Sequence, residues 1–573
     1  MSFSRREFLQ VMGAAAVAGL VPGTLRASQH SSTNPYDFAK FGNVSLMHYT
    51  DCHAQLNPIY FREPHINLGI ADMFGNPPHL VGEYLLKHFG IPANSPEAYA
   101  FSYLNFAEAA EKYGRVGGFA HLKSLVDQLR AERPGALLLD GGDTWQGSAT
   151  SLWTNAQDMV DAQIKLGVDV MTAHWEFTYG AERVQEIIEN DLANAGLDFV
   201  AQNVRDTDFE DPVFPAYVIR EINGHAVAII GQAFPYTPIA NPRYMIPEWS
   251  FGIRDMEMQE RVNEARDEGA EVVIVLSHNG MDVDLKMASR VSGIDAIMGG
   301  HTHDGVPQPI HIKNPDGDHT LVINSGSNSK FLSVLDLDVQ DGKVQDFRYK
   351  LLPVFSELLP ADAEMTAYIQ SVREPYEQQL NEQLAVTEDT LYRRGNFNGT
   401  FDQVICDALM QELNAPIAFS PGFRWGVSIL PGHPITFDEV MTQTAMTYGT
   451  VTRNELTGEQ IKTILEDVAD NLFNTDPYYQ QGGDMVRVGG LQYSLDPTEK
   501  IGSRISDLEL NGQPLDPSKN YPVGGWASVA APLEGKQIWE VVSDYLRDKK
   551  VIKDVEPNIP KLKGVENNPG IVL

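Results

Sequence analysis

Five short polar clusters, each placed where an apolar run ends, constrain this chain more than any other feature. Val44–Tyr49 leads into Asp51-Cys52-His53, and Ala136–Leu139 leads into Gly141-Gly142-Asp143. Val168–Ala173 leads into His174, Val272–Leu276 into Ser277-His278-Asn279-Gly280, and Ile294–Met298 into Gly300-His301-Thr302-His303. Short apolar runs with such borders read as buried strands. In α/β sheets, ligands gather outside the carboxyl ends of strands. Asp51, His53, Asp143, His174, His278, His301 and His303 delivered to such an edge can hold two metal ions. They leave positions open for water and substrate. Carboxylates with several imidazoles suit Mn²⁺, Zn²⁺ or Fe. Two such ions roughly 3.5–4 Å apart can create a hydroxide nucleophile and clamp a tetrahedral oxyanion. A lone Asp-x-His says little, whereas five strand-end pieces in one order point to a single site.

The chain has 573 residues, enough for two or three domains. Its formal charge is −34, from 77 acidic against 43 basic residues. That excess argues against nucleic acid, whose phosphates need Lys and Arg. It names no partner, because an acidic surface also serves solubility. The start, Ser4-Arg5-Arg6-Glu7-Phe8-Leu9 followed by an apolar stretch from Val11 to Val21, resembles a twin-arginine export signal over residues 1–27. Leu25-Arg26-Ala27 suits the cleavage site, and a periplasmic destination follows. The run is too short for a comfortable transmembrane helix, and no other stretch reaches about 18 apolar residues. No integral membrane association is expected. There are two cysteines, Cys52 and Cys406. On an extended segment Cys52 would face away from Asp51 and His53, as a buried packing residue.

Alternation of strand and helix patterns runs through residues 28–352 and reads as a mixed α/β sandwich. Phe119–Arg133, Tyr179–Ala195 and Arg254–Glu268 have helical spacing. Phe199–Asn203, Leu321–Ser325 and Leu332–Leu337 read as strands, and Tyr217–Ile222 with His225–Gly231 as a hairpin around Asn223-Gly224. Asn57–Gly114, rich in Pro, Gly and aromatics, reads as an inserted cap over the metal face. Residues 353–390 suit a helical linker. A second α/β domain is expected over 391–552, with helices Asp402–Leu413 and Gly458–Asn471 and strands at Ala415–Ser420 and Val486–Ser494. Residues 553–573 read as an extended surface arm.

The motif order resembles the calcineurin-like metallophosphoesterases, and within them the 5'-nucleotidase family, over about Val44 to Gly326. The resemblance implies an αββα sandwich followed by a C-terminal substrate-binding domain. It implies that Asp51, His53, Asp143 and His303 hold one metal. Asp143 would bridge to a second, held also by His174, His278 and His301. One departure changes the expectation. The family carries Gly-Asn-His-Glu-Phe-Asp at its third motif, with Asn as a ligand and a His–Asp pair assisting at the transition state. This chain has Ala173-His174-Trp175-Glu176-Phe177-Thr178. Breaking a phosphate ester expels an alkoxide, so acid assistance helps. A sulfur anion leaves more easily, since even an ordinary cysteine thiol has a pKa of about 8.5. A cage without the dyad therefore suits a sulfur leaving group.

The variant motif, with the stretch from Asp51 to Pro64 and Asn67-Leu68-Gly69-Ile70, resembles the SoxB family of sulfate thiohydrolases over nearly the whole chain. That resemblance implies two Mn²⁺ ions, with Zn²⁺ an alternative. It also implies a substrate carried as a thiosulfonate on a cysteine at the end of a Gly-rich arm of the carrier SoxYZ. In the second domain, Phe423-Arg424-Trp425-Gly426 resembles an arginine segment of the nucleotidases, which makes Arg424 the expected oxyanion ligand. Tyr448 matches one aromatic of their base clamp, while Gly482-Gly483-Asp484-Met485 supplies no second aromatic. Trp175 and Arg424 are the expected catalytic contacts, at the inner end of a groove between the domains. A 5'-nucleotidase or cyclic phosphodiesterase with a rearranged site, and a non-catalytic oxyanion-binding protein, are the alternatives.

Overall fold

The computed structural model describes residues 35–572. The expected export signal lies outside the described residues. Two six-stranded sheets build the first unit. One runs, in spatial order, Lys343–Pro353, Phe331–Gln340, Val44–Tyr49, Leu137–Asp140, Val170–Met171 and Asp198–Phe199. The other runs Ile310–Lys313, His319–Asn324, Ala296–Gly299, Val272–Ser277, His225–Gln232 and Tyr217–Ile222. The strands that precede the polar clusters pair in parallel, so their carboxyl ends share an edge. Val272, Ile274 and Leu276 enter the main core, while Val273 and Val275 enter a second core with Met258 and Val262 of helix Asp255–Asp267. A strand buried on both faces keeps no polar face, which is why it reads as an unbroken apolar run.

Several elements depart from the sequence reading. Tyr179–Ala195 is not one helix: an α-helical turn at Ala181–Glu186 passes into a π-helix at Ile187–Leu192. Of the next expected strand, Phe199–Asn203, only Phe199 pairs in the sheet, as the end of Asp198–Phe199. Beyond it, the Gln202 main chain donates to Gly231 O and its side chain to Gln232 Oε1, 2.8 Å away, so this segment bridges the two sheets. The Asn223-Gly224 turn does adopt left-handed φ values of 51° and 88°, as a tight hairpin with the right-handed strand twist requires.

Helix Ala363–Arg373 connects to the second unit, where Gln383–Thr387 pairs with Pro434–Thr436 and Val551–Ile552. Sheet structure therefore begins inside the stretch read as a linker through residue 390. A mixed sheet follows, ordered Val451–Thr457, Asn520–Trp526, Ile417–Ser420 and Arg487–Gly489. The C-terminal segment is not a free surface arm. Lys561–Leu562 pairs with Ser494–Leu495, and Val565, Asn568 and Ile571 are buried. Asn568 Nδ2 donates to Gly69 O, and Asn67 N–H donates to Gly570 O. The tail thus clamps the inserted segment, which carries helices Gly82–Phe89, Pro96–Phe101 and Phe106–Tyr113. Among the described residues no helix is long and apolar enough to cross a membrane.

Candidate metal centre

Strand ends of both sheets converge on one buried point. The first sheet delivers Asp51, His53, Asp143 and His174, and the second delivers His278, His301 and His303. The structure brings all seven together. Their ligand atoms form two groups, each within 4.8 Å: Asp51, His53, Asp143 and His303, and Asp143, His174, His278 and His301. Asp143 belongs to both. Five of the seven are non-glycine residues at left-handed φ: Asp51 (51°), His53 (46°), Asp143 (58°), His301 (71°) and His303 (60°). Such conformations cost energy and persist where the surroundings over-determine them. Here the main chain does so, since Asp51 N–H donates to Gly142 O and His53 N–H to Asp143 O, each at 2.8 Å. The segment around Cys52 is therefore not extended. Its thiol is buried for another reason, lying 3.5 Å from the carbonyl of Thr144, and burial pushes its pKa well up.

The imidazoles are turned as metal ligands are. His278 Nδ1 donates to Gly141 O at 2.6 Å, leaving Nε2 3.1 Å from Asp143. His174 Nε2 donates to Asn241 Oδ1 at 3.2 Å, leaving Nδ1 3.4 Å from Asp143. Neither inward nitrogen has a hydrogen-bond partner. His53 Nε2 and His303 Nε2 lie 3.0 Å apart. An outward N–H on a protein acceptor with the other nitrogen facing the site is the pattern that orients metal-binding histidines. Charges agree. Burial lowers the pKa of His278, but Asp143 and Asp51 outweigh it and raise it to about 10. Burial likewise raises Asp143, but His278 and His174 hold it well below the usual carboxylate range. Burial lifts Asp51 to about 6 and drops His53 to about 4, and drives His301 and His303 well down. Asp143 and Asp51 draw a proton onto His278, and a bound cation would replace it. Two carboxylates and five imidazoles fit two divalent ions.

Sequence reasoning missed the groups that hold this cage. Glu176 accepts the main-chain N–H groups of His174 (2.8 Å), Asp143 (3.2 Å) and Thr144 (2.6 Å), tying two ligand loops together. Asp140 accepts from Tyr49, Thr144, Gly142 and Gln163. The available signal was a carboxylate inside each apolar-to-polar junction. Gly300 is required because a Cβ there would lie 2.3 Å from Thr50 Oγ1.

The second unit covers one side. Arg424 donates through Nη2 to Gly483 O at 2.6 Å and lies with Nη1 3.4 Å from His301 O. Arg394, which sequence reasoning did not single out, donates to His303 O at 3.2 Å and Thr302 O at 3.1 Å. Both guanidiniums line a cleft between the units that reaches His301 and is also lined by Asn67 and His79 of the insertion. An adjoining hollow that shares Asn67, Asp304 and Arg394 reaches His303. Trp175 does not line this cleft, contrary to expectation. Its ring stacks on Tyr448 (6.0 Å, 5°) and meets Phe423 and Trp425 edge-on, so it packs into the joint between the units. Its main-chain N–H still pins Asp143 Oδ1 at 2.7 Å. Thr178 donates to Trp175 O, and its own carbonyl accepts from Thr447. Trp425 stacks on His53 at 5.1 Å. The missing aromatic near Gly482 has a steric cause, because a Cβ on Gly482 would sit 1.7 Å from His301 Nε2.

Residues 383–548 match the model of the 5'-nucleotidase C-terminal domain. The structure of the Thermus thermophilus sulfate thiohydrolase SoxB, in complex with glycerol, superposes with a TM-score of 0.87. It is 37% identical, and the match covers 93% of this chain and 99% of that one. The chain belongs to the SoxB family. More distant relatives place that family among the 5'-nucleotidases. The rat 5'-nucleotidase is 24% identical over 76% of this chain and 84% of its own length. A 5'-nucleotidase precursor from Thermus thermophilus shares the fold with a TM-score of 0.72 at 21% identity, covering 91% of this chain and 99% of that one. These SoxB and 5'-nucleotidase homologues are metal-dependent hydrolases.

Proposed function

We propose that this protein is a thiosulfohydrolase that releases sulfate from a cysteine-bound thiosulfonate. The observation that carries the reading is the complete cage of two carboxylates and five imidazoles beside Trp175 and Thr178, whose side chains serve packing and a turn. Trp175 is committed to the aromatic joint and Thr178 to the turn beneath it. Neither is an acid, so the site favours a leaving group that needs none. Likeness to a sulfate thiohydrolase over 93% of the chain supports the same reading.

Two divalent ions in this cage, Mn²⁺ by family resemblance, would supply an activated water and neutralise charge on the sulfonate oxygens. The chain's own residues do the rest. His278 and His174 keep their outward N–H groups on Gly141 and Asn241 and so hold their rings in place. Arg424 and Arg394 present guanidiniums to the cleft, with planar donors suited to oxyanions. Arg424 pairs through Nε with Asp484 at 3.5 Å and donates through its outer nitrogens to the carbonyls of Gly483 and His301, and an anion can outcompete these carbonyl contacts because charge-assisted hydrogen bonds are stronger. The cleft between insertion and second unit gives a thin, glycine-rich carrier arm, that of SoxYZ, a route to His301. We place the protein in the periplasm, exported by the twin-arginine route, and the alternative of a nucleotidase is tested alongside. Metal-loaded protein should release sulfate from a glycine-rich peptide ending in a thiosulfonated cysteine, and little phosphate from AMP. Phosphate release without sulfate release would sink the assignment.

A further inference from the structure

Hydrolysis of a thiosulfonate makes a proton problem. A water oxygen bonds to the sulfonate sulfur, the S–S bond breaks, and its electron pair leaves with the carrier's sulfur. The products are sulfate and a persulfide anion, so both protons of the water must go elsewhere. The cage offers no spare base. Its imidazoles face the metal positions, Glu176 is filled by main-chain N–H groups, and the third-motif positions carry Trp175 and Thr178.

The cleft that reaches His301 contains one other histidine, His79 of the insertion. Its Nε2 lies 3.1 and 3.0 Å from the two oxygens of Asp282. Its Nδ1 is buried without a hydrogen-bond partner. Asp282 sits in the first turn of helix Met281–Arg290, just after the His278 loop. Met281 N–H donates to Thr302 Oγ1 at 3.1 Å, so this turn is tied to the one that carries His301 and His303. Side-chain exposure of 14% for His79 and 10% for Asp282 leaves the pair in contact with solvent at the cleft. A histidine oriented by a carboxylate through one nitrogen, with no full hydrogen bond on the other and the Asn67 main chain near enough to favour a proton on the ring, is built to exchange protons.

We propose that His79, oriented by Asp282, accepts a proton released from water at the metal site and passes it along the cleft to solvent. The inference rests on the thiosulfohydrolase reading. Nδ1 takes the proton while Nε2–H stays on Asp282. Burial disfavours the charged ring, but Asp282 and then Asp304, from the loop after His303, outweigh it and raise its pKa above the ordinary value. Arg394 and Arg424 line the same cleft with Asp484, and keep it from becoming uniformly acidic. A ring that binds protons more readily than free imidazole accepts one near neutral pH and returns it to buffer.

The test uses metal-loaded protein and the thiosulfonated peptide in dilute buffer. His79→Gln should keep its metals and lose turnover about tenfold or more, a modest share of what proton transfer contributes. Added imidazole should restore much of that loss, which repair of a packing defect would not do. Asp282→Asn removes the group that raises the His79 pKa. The rise of activity with pH, which needs neutral His79 as acceptor, should therefore move to lower pH. Titration of the His79 ring by NMR in zinc-loaded protein should show the same downward move, independently of turnover. Unchanged turnover in His79→Gln, a loss that imidazole does not rescue, or an unmoved ring titration in Asp282→Asn would overturn the proposal. Wild-type protein that releases no sulfate would overturn the thiosulfohydrolase reading and this inference with it. Sulfate release by the wild type with no effect of His79 would overturn this inference alone.

Discussion

The sandwich loops and the second-unit face border the same cleft but are held by different means. On the sandwich side, ligand orientation is enforced by main chain. Left-handed turns set Asp51, His53, Asp143, His301 and His303, and Glu176 draws the N–H groups of two loops onto one carboxylate. On the second-unit side, Arg424 and Arg394 rest on carbonyl oxygens of the His301–His303 turn and of Gly483, with Asp484 holding the Nε of Arg424. The first arrangement fixes the main chain of the ligand loops. The second consists of bonds that an incoming oxyanion can exchange. On the proposed function, the metal side is set before substrate comes and the arginine side can adjust to it.

Breaking the sandwich side should do the most damage. Asp143→Asn removes the charge shared by both ligand groups and should cost at least one metal and nearly all turnover. Metal analysis with a sulfate-release assay checks this, and full metal content at normal rate would dissolve the contrast. Glu176→Gln keeps the shape but weakens the grip on the loops, and should lower metal affinity or activity by about 10–100-fold. A titration of metal into the stripped variant measures it. Arg424→Ala should leave both metals bound while turnover drops about tenfold or more, in line with roughly 1.5–3 kcal/mol for a hydrogen bond to a charged group. Metal loss in that variant would show that the second unit helps to build the cage. The subtlest change is Trp175→His with Thr178→Asp, which restores the nucleotidase residues. It should raise phosphate release from AMP relative to sulfate release without abolishing either, and an unchanged ratio would separate substrate class from the third motif.

The sandwich was legible because its strands are buried on both faces and end where the chemistry begins. Val272–Ser277 and Ala296–Gly299 had to be apolar throughout, and the polar residues after them stood out. The second unit was harder. Gln383–Thr387 alternates mildly beside charged residues and reads as part of a linker, although pairing with Pro434–Thr436 and Val551–Ile552 makes it a strand. The tail after residue 553 carries few apolar residues, yet Ile571 is buried because it bridges to Ile66. Trp175 was expected in the groove because its position in the motif suggested chemistry. Its ring instead found aromatic partners more than 240 residues away in sequence, Phe423, Trp425 and Tyr448.

By itself the sequence determined which atoms are available for metals, in what order strands deliver them, and that the usual acid pair is absent. Those are local properties: residue type, apolar runs and spacing survive being read one residue at a time. Only the tertiary structure decided that seven ligands from two sheets share one centre around Asp143, that Gly482 must lack a side chain beside His301, and that His79 meets Asp282 across some two hundred positions of chain. These depend on which surfaces close against one another. Long-range closure is decided by the balance of burial and chain entropy over the whole fold, and no local stretch of sequence carries that balance.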